Sequence, residues 1–520
     1  VALAGSKSTP DQLSVPSSKP NHRLEIRVKR KGLSVFVFLL GLVLSANSTD
    51  SQPVTSTQLV AWLAAGISNA RLVRLLHERG IAAVPSKQQI RQLESAGADA
   101  NLVRTLKNLK PVIVIGSSST QAAPASEIPE IVAKAAVEAR AQHFHDAEIS
   151  LRKAVGDDPQ NAALHFALAA MLRRQQNWDD AFDEVTASAK LMPDLPENHS
   201  TMAYIFYRLD DGPNAIAEAR TALSMDPQNA EAYQFLALAL YSSEQYAGAV
   251  NAFIESLARD EHNADTYYDL GITLHAAGNM AGAIDAYGQA IRLNPSFWQA
   301  HSNMALVLHE QNKLDEAIAE YHEAKRLAPQ DAAVRNNLGN TYCDKGDFDA
   351  AIGELRELYR QHPEWAQGHT CMAHAYLAKH DYANAVSELQ LAVLQNPTGA
   401  SEHRMLGEAM LMDDKLEDGT RELRLAVELN PDSDSAHRAL GTALFRQQKL
   451  SAAEKEFREA LRLNGSPDNH YSLAACLMTM DRYEEALVEL ETAARLDPDR
   501  PLYRARRDEL MKLMKETNSR

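Results

Sequence analysis

Seven histidines share one register of this 520-residue chain: His165, His199, His301, His369, His403, His437 and His470. Histidine is the side chain for acid–base work and metal ligation near neutral pH. Members stand about one helix pair apart in any stacked array, too far to share one ion. A structural role is favoured over a shared metal site. HFHD (143–146) is the other metal-like motif. It falls at an interhelical turn, with Phe144 at an aromatic turn position. GSSST (116–120) lacks the Gly-Lys-Ser/Thr end of a phosphate-cradling loop, and neither G-x-S-x-G nor H-E-x-x-H occurs. Cys343, Cys371 and Cys476 have no C-x-x-C spacing. Inside helical stretches they read as small buried apolar side chains, outside any disulfide framework. The expectation is a chain without catalysis, metal or cofactor.

The composition is ordinary for a soluble protein. Hydrophobic residues make up 45% of the chain and aromatics only 6%, which suits an Ala- and Leu-rich core of closely packed helices. At this length one compact core is unfavourable, so several domains or a repeat array are expected. The formal charge is −16. Residues 1–32 are basic, with seven Lys/Arg against Asp11 and Glu25, so the body is more acidic still. An acidic body argues against general nucleic-acid binding, which needs phosphate-neutralising cations.

A period organises the rest. A small residue recurs at Ala147, Ala181, Ala215, Ala249, Ala283, Ala317, Ala351, Ala385, Gly419, Ala453 and Ala486, in steps of 34 until the last, which is 33. Proline follows each at a fixed distance, except where Glu261 and Gly465 stand instead. Twelve residues before sits another small residue, among them Ala305, Gly339 and Gly407. In KLDEAIAEYHEAKRLAP (313–329), Ala317 lets two helical backbones approach and Tyr321 fills the gap beside them. Ala324 admits the next unit, and Pro329, with no N–H to donate, ends the helix. Gly419 is the one Gly in its register, so Gly419→Ala is expected to gain about 0.5–1 kcal/mol.

This pattern resembles the tetratricopeptide repeat (TPR), a 34-residue helix–turn–helix unit. The resemblance covers residues 128–500 as eleven units and implies an all-α fold, a right-handed TPR superhelical solenoid. The "AH-x-NLG" wording is similar to the arrays of O-linked N-acetylglucosamine transferases; the array stops near residue 516, and no catalytic domain is expected to follow it. Residues 501–516 read as the solvent-facing capping helix an array needs.

Ahead of the array, RVKRKGLSVFVFLLGLVLSANS (27–48) places four cations before an apolar run. Fourteen helical residues reach about 21 Å, against roughly 30 Å for a bilayer core. Residues 1–48 are therefore expected to be a basic segment with a signal for export, cleaved near Ala46 and Ser48. An uncleaved anchor or a cytoplasmic chain are the alternatives. Residues 58–110 form a small helical module of two hairpins, in which Ser68 and Asp99 could cap helices. Residues 111–127 read as a linker.

The resemblance implies that first helices line the binding face, at positions 2, 5, 6, 9, 12 and 13. That gives an aromatic zone (Tyr204, Tyr207, Arg208, Tyr241, Tyr268, His275) and an amide-rich zone (Asn303, His309, Asn336, Asn337, Asn340, His374), with Arg404, Arg438 and Arg446 beyond. Asn can pair with the backbone of an extended peptide, and Tyr and Arg favour interfaces. Asn336 and Asn340 stand where a carboxylate clamp would need Lys and Asn, so chaperone C-termini are not the expected ligand. The expected function is a protein- or peptide-binding scaffold. A regulatory or targeting subunit of an enzyme complex is the alternative.

Overall fold

The computed structural model describes residues 52–112, 127–363, 365 and 367–518. The basic and apolar segment of residues 1–48, and most of the 111–127 linker, lie outside the described residues. The chain divides into two compact units, Val1–Leu293 and Asn294–Arg520. The described residues form 27 α-helices and no β-strand.

The first unit opens with α1 (Ser56–Ala65), α2 (Asn69–Arg79), α3 (Lys87–Ala96) and α4 (Ala100–Asn108). Local sequence sets their ends. Thr55 with Gln58, and Ser86 with Gln89, form capping boxes. Ser68 Oγ accepts from the Arg71 N–H and Asp99 Oδ1 from the Leu102 N–H. Gly66 (φ 94°) and Gly97 (φ 114°) turn each hairpin through the left-handed region. Val54, Ile81 and Pro111 meet as isolated parallel bridges, a feature without helical periodicity to announce it. The module does not stand apart. Leu59, Trp62 and Leu72 share one buried core with Val132, Ala135, Phe166 and Ala167 of the array.

Five hairpins follow in this unit: α5 (Glu130–Arg140) with α6 (Phe144–Asp157), α7 (Ala162–Arg174) with α8 (Trp178–Leu191), and α9 (Pro196–Arg208) with α10 (Gly212–Met225). Then come α11 (Ala230–Ser242) with α12 (Tyr246–Leu257), and α13 (Ala264–Ala276) with α14 (Met280–Leu293). The second unit holds six: α15 (Trp298–Glu310) with α16 (Leu314–Leu327), α17 (Ala332–Lys345) with α18 (Phe348–Gln361), and α19 (His369–Ala378) with α20 (Tyr382–Gln395). They continue as α21 (Ala400–Met412) with α22 (Leu416–Leu429), α23 (Asp434–Arg446) with α24 (Leu450–Leu463), and α25 (Pro467–Thr479) with α26 (Tyr483–Leu496). Helix α27 (Pro501–Asn518) closes the unit and buries Tyr503 and Leu510.

The periodic small residues do what their size allows. Ala305, Ala317 and Ala324 are fully buried, and Tyr321 fills the space between them with no exposure. The turn inside each hairpin uses a position that the period did not single out. Gln142, Gln176, Asp210, Glu244, Asn312, His380, Asp414, Gln448 and Asp481 all have φ near +60°, and Gly278 and Gly346 occupy the same register. Left-handed backbone is unfavourable for an L side chain, least so for Asn, Asp and Gly. Glu244→Gly should therefore raise stability by about 0.5–1 kcal/mol, read as slower amide exchange across α11 and α12.

Each register histidine meets a carboxylate nineteen residues later, on the second helix of its own hairpin. His165 faces Glu184 (Nδ1···Oε2 2.6 Å), His199 Glu218 (2.7 Å), His301 Glu320 (2.6 Å) and His369 Glu388 (2.7 Å). His403 faces Glu422 (2.7 Å), His437 Glu456 (2.7 Å) and His470 Glu489 (2.5 Å). Arg335 makes the same contact with Glu354 at 2.9 Å. Where the first position is Tyr233 or Tyr267, the second is Ala252 or Ala286, so bulk replaces the polar pair. The structural reading of these histidines thus becomes a specific one, a hydrogen bond tying the two helices of a hairpin. Glu456→Ala would strand His437, which is 7% exposed, and should cost about 1–3 kcal/mol. Adding His437→Tyr should recover part of that loss in urea melts, copying the Tyr–Ala hairpins.

Two sequence expectations change here. Gly419 lies within α22 in helical backbone, but a Cβ there would sit 2.8 Å from the carbonyl oxygen of Gly407. The expected gain from alanine is therefore reversed. Cys343 and Cys371 are not separate apolar fillers; they form a disulfide between α17 and α19, with Cα atoms 6.2 Å apart. Cys476 is free and buried, as a small apolar residue would be. Helix α19 starts at His369, after Gly368 in left-handed backbone (φ 100°).

Candidate partner-binding surfaces

In the first unit, Tyr204, Tyr207 and Arg208 come together on α9, all half-buried. The Arg208 guanidinium lies 4.7 Å from the Trp178 ring centroid and donates to the Tyr204 hydroxyl at 3.2 Å. Tyr204 packs against Phe235 with centroids 4.8 Å apart, and Arg173 stands over the Tyr204 ring at 5.2 Å. Stacked guanidinium and aromatic groups of this kind are held rigid by cation–π attraction. Trp178, Phe235 and Arg173 were missed by the sequence reading, because they come from neighbouring helices and other registers.

Tyr241 and Tyr268 are separate from that stack. Tyr241 pairs with Tyr246 (5.7 Å) and Tyr268 with Tyr287 (6.0 Å), while His275 lies half-buried farther along α13. Between them stands Asp269, which the sequence reading also passed over. Burial, reinforced by the like charge of Asp265, pushes its carboxyl up to about 7, against a hydrogen bond from Gln234. Burial and the nearby Tyr246 and Asp269 raise the Tyr241 hydroxyl.

The Asp269 shift has a definite sign. Below its unfolded value both states hold the proton and nothing is lost. From there to about 7 the folded state keeps a proton that the unfolded state has released, so stability falls as pH rises and then levels off. Asp269→Asn should accordingly stabilise the first unit at pH 8 by about 1–3 kcal/mol and leave it unchanged near pH 3. Melting curves at the two pH values check this.

In the second unit the predicted residues divide by burial. Asn303 and Asn336 are 3% and 4% exposed, so they belong to the packing between helices. The Asn336 Oδ1 finds no hydrogen-bond donor there. Asn337 is half-buried and bonds the Tyr321 hydroxyl. Asn340 and Arg438 are half-buried and His374 is exposed. One polar contact joins two of the first helices and one ion pair lies along a third. His309 on α15 contacts Asp344 on α17 at 2.7 Å, and Arg404 pairs with Glu408 along α21 at 2.7 Å. Burial raises the Glu408 carboxyl while Arg404 and Arg438 oppose it. The disulfide lies on the same first helices as Asn340 and His374.

Consecutive helical hairpins with small residues at their contacts, and polar first helices, define an all-α repeat protein of the interaction type. Tetratricopeptide-repeat models match residues 132–196, 201–332 and 405–468, and a second such model matches 308–375 and 444–507. The chain belongs to the tetratricopeptide repeat family. No curated protein matches it. Among solved structures it is similar to MamA from Desulfovibrio magneticus RS-1, with 22% identity, 32% of this chain and 94% of the other covered, and a TM-score of 0.31. Pseudomonas aeruginosa pilF shares 20% identity over 40% of this chain and 94% of its own, with a TM-score of 0.36. Yeast Tom70 shares 14% over 75% of this chain and 95% of its own, with a TM-score of 0.32. No helix among the described residues is long and apolar enough to cross a membrane.

Proposed function

We propose that the chain is a non-catalytic scaffold that binds protein or extended peptide on the inward-facing sides of its first helices. The observation that carries this reading is the second unit's row of accessible polar side chains, Asn340, His374, Arg404 and Arg438, on successive first helices. Amides offer a donor and an acceptor to a peptide backbone, and the arginines suit acidic groups of the partner. The Tyr204–Arg208 stack is the corresponding anchor surface of the first unit. Placement outside the cytoplasm, in the envelope or beyond it, is the favoured location. The basic-then-apolar segment before residue 48 supports it, and so does a disulfide, since disulfides persist in oxidising compartments.

Crosslinking with mass spectrometry from native cells identifies the partner. The triple variant Asn340→Ala, His374→Ala, Arg438→Ala should weaken that partner's binding at least tenfold with helix content unchanged. Undiminished binding moves the site off this row. Recovery of one stoichiometric enzyme would favour the regulatory-subunit reading.

A further inference from the structure

The Cys343–Cys371 disulfide crosses from α17 to α19, the first helices of consecutive hairpins. Cys343 follows Asn340 by about one turn, and Cys371 precedes His374 by about one turn. The bond therefore lies among the proposed partner contacts. Both cysteines are half-buried, within reach of a small reductant. Each sulfur also has a carbonyl oxygen close by. Cys343 Sγ is 3.3 Å from the Cys371 carbonyl oxygen, and Cys371 Sγ is 3.6 Å from that of Gly339. A disulfide has no S–H to donate, but two thiols do. The reduced pair thus finds acceptors within the same fold.

The helix held by this bond is weakly anchored otherwise. Helix α19 has ten residues, against fourteen in α17 and thirteen in α21. Its N-cap, Gly368, has no side chain to accept from the first turn, whereas Asp331 and Ser433 cap α17 and α23. A Cβ on Gly368 would sit 3.1 Å from Asn336 Oδ1, a buried oxygen with no donor among the described residues. Short helices with poorly satisfied ends open at low cost. We infer that the disulfide is a dithiol-reducible clamp on α19, and that its reduction weakens the partner-binding row of the second unit. The regulatory part of this inference rests on the proposed function above. The electron pair comes from a dithiol reductant. One of its thiolates attacks a cysteine sulfur, the S–S bond breaks, and the other cysteine leaves as a thiolate and takes a proton. The second thiol of the reductant then displaces the first cysteine, so two cysteine thiols form and the reductant becomes a disulfide.

Hydrogen exchange on the full chain, with and without millimolar dithiothreitol, tests the clamp. Reduction should expose Cys343 and Cys371 to alkylation and leave the buried Cys476 unmodified. Exchange in α19 should quicken at least tenfold, while α21 to α26 stay at the oxidised rate. The double variant Cys343→Ser, Cys371→Ser should exchange at the reduced rate with or without the dithiol. The binding probe is a cysteine-free peptide, selected from a random library on the oxidised chain and lost in the Asn340→Ala, His374→Ala, Arg438→Ala variant. It should bind the reduced chain at least tenfold more weakly. A disulfide that resists dithiothreitol in the folded chain overturns the inference. So does equal exchange of α19 in both states, or equal affinity of that peptide for both. If every selected peptide ignores the triple variant, the proposed function fails and the regulatory role with it, while the exchange difference in α19 remains.

Discussion

Arg71→Ala should loosen the N-terminal module by about 3–5 kcal/mol. Arg71 is 8% exposed and Glu197 5%, and they meet at 2.6 Å, with Asp226 at 3.5 Å from the same guanidinium. Burial of the guanidinium is opposed by these carboxylates, Glu197 first, and its pKa ends above the ordinary arginine value. Removing one partner leaves the other charged and out of water, which is the expensive half of a buried ion pair. Arg74 still holds Asp226, so the loss falls on Glu197. Replacing both, Arg71→Met with Glu197→Met, should recover much of the stability. In a repeat array such changes act locally, so hydrogen exchange over α1–α4 and α9 is the measurement. Exchange at the wild-type rate in Arg71→Ala would show that the pair contributes nothing.

Gly419→Ala should destabilise the second unit by about 1–3 kcal/mol. Alanine is the better helix former, and by that criterion alone the change would gain stability. Geometry decides otherwise. The new methyl would meet the Gly407 carbonyl oxygen at 2.8 Å and Leu411 Cδ2 and Met410 Cβ at 3.2 Å. A backbone oxygen cannot swing aside as a side chain can, so the two helices must separate. The urea midpoint should fall, with exchange quickening in α21 and α22. A higher midpoint would mean that the helices are farther apart than described.

The hairpins were readable in the sequence because two helices in contact need small residues, and Ala305 and Ala317 recur in every unit. The ties between them were less readable. A histidine looks like a ligand or a filler, and a glutamate on a helix surface looks merely solvated. Only setting His437 and Glu456 beside Tyr233 and Ala252 reveals that the two positions change together. The disulfide joins residues 28 apart on different hairpins, and no local rule marks such a pair. Asn303 and Asn336 show the limit of carrying registers over. Position along a helix predicts the face, but the neighbouring helix decides whether that face is covered. The Arg71–Glu197 pair was invisible because its halves come from the module and the third hairpin.

The nineteen-residue pairing also bears on how such a chain can be lengthened or shortened. Excising a whole hairpin takes both halves of its pair, and the seam stays chemically matched. Cutting residues 212–245 instead, also 34 residues, would join α9 to α12 and set His199 against Ala252. Mid-hairpin splices at the borders of the Tyr–Ala stretch are therefore poor sites for rearrangement, and whole-hairpin cassettes the workable currency of chimaeras.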